Sequence, residues 1–229
     1  MNRQRGAALL VMLLIAGVLG SFFALQVFGG GRAERAKISS TTTSLTQARD
    51  ALAGFAHANG RLPRPATSAL NGAESAGPCI TEVACTGLIP WATLGIGKLD
   101  AWGKIIRYSV SPAFADSPIA PASIPSKKLQ TRDLAGVLSF LAGSAAACTA
   151  VSGCIPAIVF SHGMANFGTT DAGVAIPNQS LTNIDEISNN TGAGIGVTYV
   201  QRTVSQNNSA ALGGEFDDIV IALPRNLLP

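Results

Sequence analysis

One adjacent serine–histidine pair, Ser161-His162, raises the question of nucleophilic catalysis. A serine hydroxyl activated by an imidazole base can carry out acyl transfer. Successive side chains of a strand point to opposite faces of a sheet, so these two residues are not expected to hydrogen-bond with each other. No serine of the chain lies in the Gly-x-Ser-x-Gly elbow that exposes a nucleophile in hydrolases. We interpret Ser161-His162-Gly163 as a turn that ends a strand, and we predict a protein that is not an enzyme and has no catalytic residues.

Three acidic residues, Glu215, Asp217 and Asp218, lie just before an apolar run near the C-terminus. Carboxylates are preferred ligands of calcium, which takes about six to eight oxygen atoms. Asp171 is the further acidic residue that could join them. The cluster is therefore a candidate calcium site, and we expect no other metal or cofactor. The alternative is that these acids mark a strand edge and accept hydrogen bonds within turns.

The four cysteines form two pairs, Cys79/Cys85 and Cys148/Cys154, with five residues between the members of each pair. Local pairing would close two short loops, each worth about 2.4 kcal/mol of stability. Cross-pairing, a zinc site and free thiols are the alternatives. We predict the local disulfides Cys79–Cys85 and Cys148–Cys154, because each pair is close in sequence and this part of the chain is expected in an oxidising compartment.

The composition argues against nucleic-acid binding and in favour of apolar packing. The formal net charge is +3 and no run of Lys and Arg exceeds two residues, so the chain lacks a basic patch for phosphate backbones. Hydrophobic residues make up 47% and charged residues 13% of the chain, and the mean hydropathy is +0.33. This balance indicates a membrane segment or a surface that packs against partners.

A charge-free stretch from Ala7 to Gly31 follows the basic residues Arg3 and Arg5. About 20 apolar residues in a helix suffice to cross the core of a bilayer. We therefore predict a transmembrane helix over residues 7–28, with the N-terminus in the cytoplasm because basic residues stay on that side. The alternatives are a buried core helix and a cleaved secretory signal, whose apolar region would be shorter.

Arg5-Gly6 followed by Ala7-Ala8-Leu9-Leu10-Val11 resembles the type III leader of type IV pilins and type II secretion pseudopilins. The resemblance implies that residues 1–6 are a leader, that prepilin peptidase cuts between Gly6 and Ala7, and that the new N-terminus is methylated. Most members have Phe where this chain has Ala7, and Glu where it has Val11. That Glu neutralises the N-terminal amine of a neighbour inside the apolar fibre core. Some minor subunits at the fibre tip also lack this Glu, so in this respect the chain resembles a minor subunit.

A second resemblance covers residues 54–110. Proteobacterial pseudopilin-like proteins have the same order of blocks behind their long helix. The order begins with a leucine-proline pair, here Leu62-Pro63, and continues with a proline-tryptophan block, here Pro90-Trp91. An aspartate-x-tryptophan-glycine block follows, here residues 100–103. Relatives often carry Cys where this chain has Arg64, so their disulfide pattern does not transfer to it.

The elements around these motifs predict an α+β fold. Leu45, Ala48, Leu52 and Phe55 recur at spacings of three and four residues, which indicates an amphipathic helix over residues 29–60 that continues the pilin-like spine. We expect this helix to pack on a small antiparallel sheet with long loops. The sheet would belong to a globular periplasmic head over residues 61–229. Strands are predicted at 104–110, 157–161, 196–200 and 219–223. At 129–141 a hairpin is favoured over a helix, and a polar loop is expected at 178–190.

These features predict a structural minor pilin or pseudopilin that primes, joins or caps the fibre of a type II secretion system or a type IV pilus. Its expected partners are other pilin or pseudopilin subunits, prepilin peptidase, the inner-membrane assembly platform and the lipid bilayer. The expected localisation is the inner membrane, with a single span, a cytoplasmic N-terminus and a periplasmic head, and a place at the fibre tip. The alternative is a membrane-anchored periplasmic hydrolase or binding protein, which a deep polar pocket in the head would favour.

Overall fold

The computed structural model describes the backbone of residues 3–229, and the side chains of residues 12–18, 31–192 and 195–229. The chain divides into two units, Met1–Ser39 and Ser40–Pro229, and we call the second unit the head.

Helices and strands alternate irregularly along the chain. The helices are α1 (Arg3–Asn59), α2 (Trp91–Leu94), α3 (Pro112–Ala115) and α4 (Ile184–Thr191). The strands are β1 (Thr86–Leu88), β2 (Arg107–Val110), β3 (Lys128–Arg132), β4 (Leu138–Ala142), β5 (Ala157–Ser161), β6 (Thr198–Val200) and β7 (Ile219–Leu223). Short helical turns of other types cover Gly192–Gly196, Ala210–Leu212 and Arg225–Leu227.

Within the head, α1 buries one apolar stripe against the larger sheet. Leu45, Ala48 and Leu52 are fully buried at the predicted spacing, and Ala56 continues the stripe. They share one core cluster with inward-facing residues of β2 and β5. Burying one leucine side chain contributes about 1.5–3 kcal/mol, so this stripe holds the helix on the sheet. The helix stops at Gly60, whose φ of 71° is favourable for glycine and whose N–H donates to the Ala56 carbonyl at 2.8 Å.

The larger sheet is antiparallel and has the strand order β1-β2-β5-β7. One face carries Tyr108 and Val110 into the core beneath α1. The other face carries Ile158 and Phe160 against Tyr199 of β6, in a second core cluster. Every residue of β5 is therefore buried, which explains why its sequence is a nearly continuous apolar run rather than an alternation.

A second, smaller sheet has the order β4-β3-β6. β3 and β4 form an antiparallel hairpin, which is the structure favoured for residues 129–141. β6 pairs with β3 in parallel, so the head contains a mixed sheet in addition to the antiparallel one. A single sheet was predicted from the sequence, because strand pairing between segments about 70 residues apart leaves no local pattern.

α4 occupies part of the segment that was predicted to be a polar loop. It buries Asp185, Glu186 and Asn189, whereas its apolar residues Ile184 and Ile187 are exposed, so hydrophobicity does not mark the face that packs on the head. Two signals of a helix were nevertheless present. Acidic residues occupy its first turn, and Gly192 follows its last residue in the left-handed conformation.

The predicted transmembrane helix over residues 7–28 was wrong. No helix among the described residues is long and apolar enough to cross a membrane. The described apolar stretch covers only residues 12–18, and residues 31–59 carry the charges of Arg32, Glu34, Arg35, Lys37, Arg49 and Asp50. The fold prediction is corrected in this respect, and so is the predicted localisation as a single-pass inner-membrane protein with a periplasmic head. The side chains of Gly6, Ala7 and Val11, on which the predicted processing depends, lie outside the described residues.

Candidate functional site

Three carboxylates meet inside the head, at the junction of α4 and β7. Asp217 and Asp218 precede β7, and Glu186 belongs to α4. One carboxylate oxygen of each residue lies within 4.8 Å of the others. Sequence reasoning found both aspartates but missed Glu186, because the segment around it was interpreted as a loop.

The other two predicted members of the acidic cluster lie elsewhere. The Glu215 carboxylate accepts hydrogen bonds from the hydroxyls of Ser180 at 2.5 Å and Thr182 at 3.0 Å, and these bonds lower its pKa. Asp171 is exposed and forms an ion pair with Lys98. Neither acid joins the carboxylates at the α4–β7 junction.

Glu186 is held by three N–H donors. Its Oε2 accepts hydrogen bonds from the side-chain amides of Asn166 at 3.1 Å and Asn183 at 2.7 Å. Its Oε1 accepts the backbone N–H of Asp217 at 2.9 Å. The buried charge of Glu186 is therefore compensated by hydrogen bonds, as a charge in a low-dielectric interior requires.

Asp218 links the turn after β5 to strand β6. The Nδ1 atom of His162 lies 3.2 Å from Asp218 Oδ1, and the amide of Asn189 donates to Asp218 Oδ2 at 2.9 Å. Asn189 also donates to the carbonyl of Val200 at 2.9 Å and accepts the Val200 N–H at 2.6 Å. One buried asparagine thus fixes α4 to β6 through the same network that holds the carboxylates.

Asp217 is the least compensated of the three acids. Its Oδ2 accepts the backbone N–H groups of Met164 at 3.0 Å and Ala165 at 2.9 Å. Its Oδ1 is buried and has no hydrogen-bond partner among the described residues. Burial, reinforced by the charges of Glu186 and Asp218, raises the pKa of Asp217 from 3.8 to about 7.

The arrangement does not fit a calcium ion. Five of the six carboxylate oxygens already accept or face N–H donors, and Asp217 Oδ1 is the one left over. A calcium ion needs about six to eight oxygen ligands whose lone pairs are free for it. The raised pKa of Asp217 points to a bound proton as the means by which this network limits its negative charge.

Ser161 and His162 point toward different acids. The hydroxyl of Ser161 donates to Asp100 at 2.6 Å and accepts the N–H of Gly163 at 3.0 Å, whereas the imidazole faces Asp218. The side chains of Ser161, Asp100, His162 and Asp218 are all buried. The geometry is that of a hydrogen-bonded turn at the end of β5.

Lys104 lies beneath the same turn. Its ammonium donates to the carbonyls of His162 at 3.2 Å and Asn166 at 3.0 Å, and burial lowers its pKa. Among the groups that counteract this effect, Asp217 has the largest influence, followed by Asp100. The positive charge of Lys104 therefore partly offsets the negative charge of the acidic junction.

All four cysteines form disulfides in the local pairing. Cys79 and Cys85 have a Cα–Cα distance of 5.0 Å, and Cys148 and Cys154 have one of 6.0 Å. No free thiol and no cysteine zinc ligand is present among them.

The loop that contains the first disulfide is also held by an ion pair. Asp116 accepts the backbone N–H of Cys79 at 2.6 Å, and its other oxygen pairs with Arg64. Arg64 and Asp116 thus hold the same loop by charge, in addition to the disulfide.

A separate feature of interest is the apolar surface of α1 in the first unit. Over residues 12–18, five large apolar side chains are between 54% and 72% exposed. They are Met12, Leu13, Leu14, Ile15 and Val18.

Comparison with known proteins gives no relative: no family model matches the chain, and neither a curated protein nor a solved structure is significantly similar to it.

Proposed function

We propose that this chain is a structural minor subunit of a pilus-like or pseudopilus-like fibre, in which its N-terminal helix packs among the helices of other subunits. The exposed apolar surface of α1 over residues 12–18 carries this proposal. Apolar side chains that protrude together into water are unfavourable unless a partner covers them.

The positions of these side chains indicate how many partners are needed. Neighbouring residues of a helix are turned by about 100°, so Met12, Leu13, Leu14 and Ile15 together point in all directions around the axis. A helix that is apolar on one face can be buried by one partner, whereas a helix that is apolar all round must be surrounded. A fibre core made of several packed helices provides such surroundings.

The leader-like sequence supports the same proposal. Arg5-Gly6 followed by an apolar run resembles the processing site of pilins, and the proposed partners are prepilin peptidase, other fibre subunits and the assembly platform. Val11, where most members carry Glu, favours a low-copy subunit at the tip, since it cannot pair with the amine of a neighbour.

The helix packing can be tested by a pair of matched substitutions in the full chain. Leu14→Arg places a charge in the apolar stretch, and Leu134→Arg makes the same change at a fully exposed residue in the turn between β3 and β4. We expect Leu14→Arg to reduce incorporation into sheared fibres by about tenfold or more, because it removes apolar burial and adds an uncompensated charge.

Leu134→Arg should be incorporated like the unchanged protein. Near-ultraviolet circular dichroism and disulfide mapping would show that the head of each variant is folded. Equal incorporation of Leu14→Arg and the unchanged chain would refute the proposed role of the helix.

A further inference from the structure

One arginine of the head has neither an acidic partner nor an acceptor for its Nε among the described residues. Other half-buried arginines pair with carboxylates: Arg61 with Glu74, Arg64 with Asp116, and both Arg132 and Arg202 with Asp185. Arg225 has no carboxylate partner, but its guanidinium donates to the backbone carbonyls of Pro229 at 2.8 Å and Ala120 at 3.2 Å. Arg107, on β2, takes part in no ion pair among the described residues. Its Nε is shielded from solvent and has no hydrogen-bond acceptor within the described part of the chain.

The surroundings of Arg107 do not replace that partner. Its guanidinium carbon lies 5.8 Å from the centre of the Phe160 ring, an interaction that stabilises a cation but satisfies no N–H donor. Burial lowers the pKa of Arg107, and the one titratable group with a counteracting effect on it is Tyr199. The arginine nevertheless stays charged at neutral pH, because the ordinary pKa of a guanidinium lies far above neutrality. A buried donor without an acceptor is costly, so the site is suited to an acceptor from outside the chain.

Arg107 lines an open cleft of about 480 Å³ at the corner of the larger sheet. Its walls come from β1, from the segment around residue 66 that pairs with β1, and from the loop around residue 169. Thr67, Thr86 and Thr169 add hydroxyl groups, and Leu88 adds an apolar wall. The volume lies within the range of small-molecule and peptide side-chain sites, which is about 300–1,000 Å³.

We propose that this cleft binds a carboxylate-bearing ligand, with the Arg107 guanidinium as its anchor. A guanidinium presents parallel N–H donors that match the two oxygens of a carboxylate. Arg107 is the one cation among the described residues that line the cleft, which matches one negative charge, whereas a phosphate dianion would require additional positive groups.

The cleft is larger than a carboxylate alone, so the acid is expected on a longer molecule. An acidic side chain on an extended peptide would place its carboxylate at Arg107 and its backbone along the threonine-lined wall. This inference is independent of the proposed fibre function, since it depends only on the head.

The experiment follows the Nε–Hε signal of Arg107 in ¹H–¹⁵N spectra of the full chain. The signal is assigned by its disappearance in Arg107→Lys. Two blocked peptides are added, acetyl-Ala-Glu-Ala-amide and its uncharged match acetyl-Ala-Gln-Ala-amide, and acetate in a separate titration shows whether a free carboxylate is sufficient. We expect a saturable shift with the Glu peptide and none with the Gln peptide.

Arg107→Lys should weaken binding of the Glu peptide by about tenfold or more, because the paired charged hydrogen bonds are lost. The control, Arg49→Lys, makes the same change at an arginine of α1 that pairs with its neighbour Asp50, and it should leave binding unchanged. Saturation by acetate as tight as by the peptide would identify a free small acid as the ligand and still support a carboxylate site. An Arg107 signal that does not move, or that moves equally with the Gln peptide, would overturn the proposal even if the chain proves to be a fibre subunit.

Discussion

The substitution Asp217→Asn tests whether the acidic junction holds a proton. In the folded chain the pKa of Asp217 is raised from 3.8 to about 7 by burial and by Glu186 and Asp218, while Lys104 acts against this rise. The folded state thus binds the proton more tightly than the unfolded state. The free energy of unfolding should therefore fall as pH rises between about 4 and 7 and change little above that range.

The size of the stability change follows from the pKa shift of Asp217. Each pKa unit corresponds to about 1.36 kcal/mol, so a shift of roughly three units costs about 4 kcal/mol of stability once Asp217 is ionised. An asparagine keeps an oxygen for the N–H groups of Met164 and Ala165 and places an N–H₂ where Oδ1 now lacks a partner. We expect Asp217→Asn to be about 2–4 kcal/mol more stable than the unchanged chain at pH 8, and this advantage to be smaller by about 2–3 kcal/mol at pH 5, where the folded chain holds the proton.

Urea unfolding between pH 5 and pH 8, followed by tryptophan fluorescence with the disulfides intact, gives the required difference in unfolding free energy. His162 also faces this junction, so only the difference between the variant and the unchanged chain isolates Asp217. The control Asp50→Asn, at an exposed acid, should change stability by less than about 1 kcal/mol at either pH. A loss of stability in Asp217→Asn at pH 8, or the same difference at both pH values, would show that the carboxylate is ionised and well compensated.

Three further outcomes are expected. Leu52→Ala should lower the free energy of unfolding by about 2–5 kcal/mol in urea titrations, because Leu52 is fully buried beneath the sheet, and a loss below 1 kcal/mol would contradict the described core. Mass spectrometry of the mature protein should find a methylated N-terminus at Ala7, and replacing Gly6 with a bulky residue should leave the leader attached; functional fibres built from uncleaved chains would argue against the pilin-like processing. Quantitative proteomics of sheared fibres should find this chain far less abundant than the principal subunit, and equal abundance would exclude a tip position.

The sequence predicted elements whose stability comes from local apolar patterns. β5 and β7 coincide with the apolar runs expected to form strands, and the stripe of Leu45, Ala48 and Leu52 faces the core as its spacing predicts. The local cysteine spacing likewise matches the observed disulfides.

The features that were missed depend on groups distant in sequence or on polar burial. Glu186 reaches Asp217 only because α4 folds against the approach to β7, and the residues that anchor α4 are polar, so hydrophobic periodicity could not reveal it. The unpaired state of Arg107 was equally hidden, since it depends on which carboxylates the tertiary structure brings near. The apolar run near the N-terminus suggested a membrane span, and the helices of the described residues do not provide one.

The parallel pairing of β3 with β6 has a consequence for the order of folding. β3 and β4 are neighbours in the chain and can form their hairpin early, whereas β6 begins at Thr198, long after β3 ends at Arg132. Loop closure over such a distance is slow, so the pairing of β6 with β3 and the hydrogen bonds of α4 should form late in folding. Until β6 pairs with it, the edge of β3 has unsatisfied N–H and C=O groups that can pair with another chain. Newly made chains should therefore be most prone to aggregate before β6 has paired.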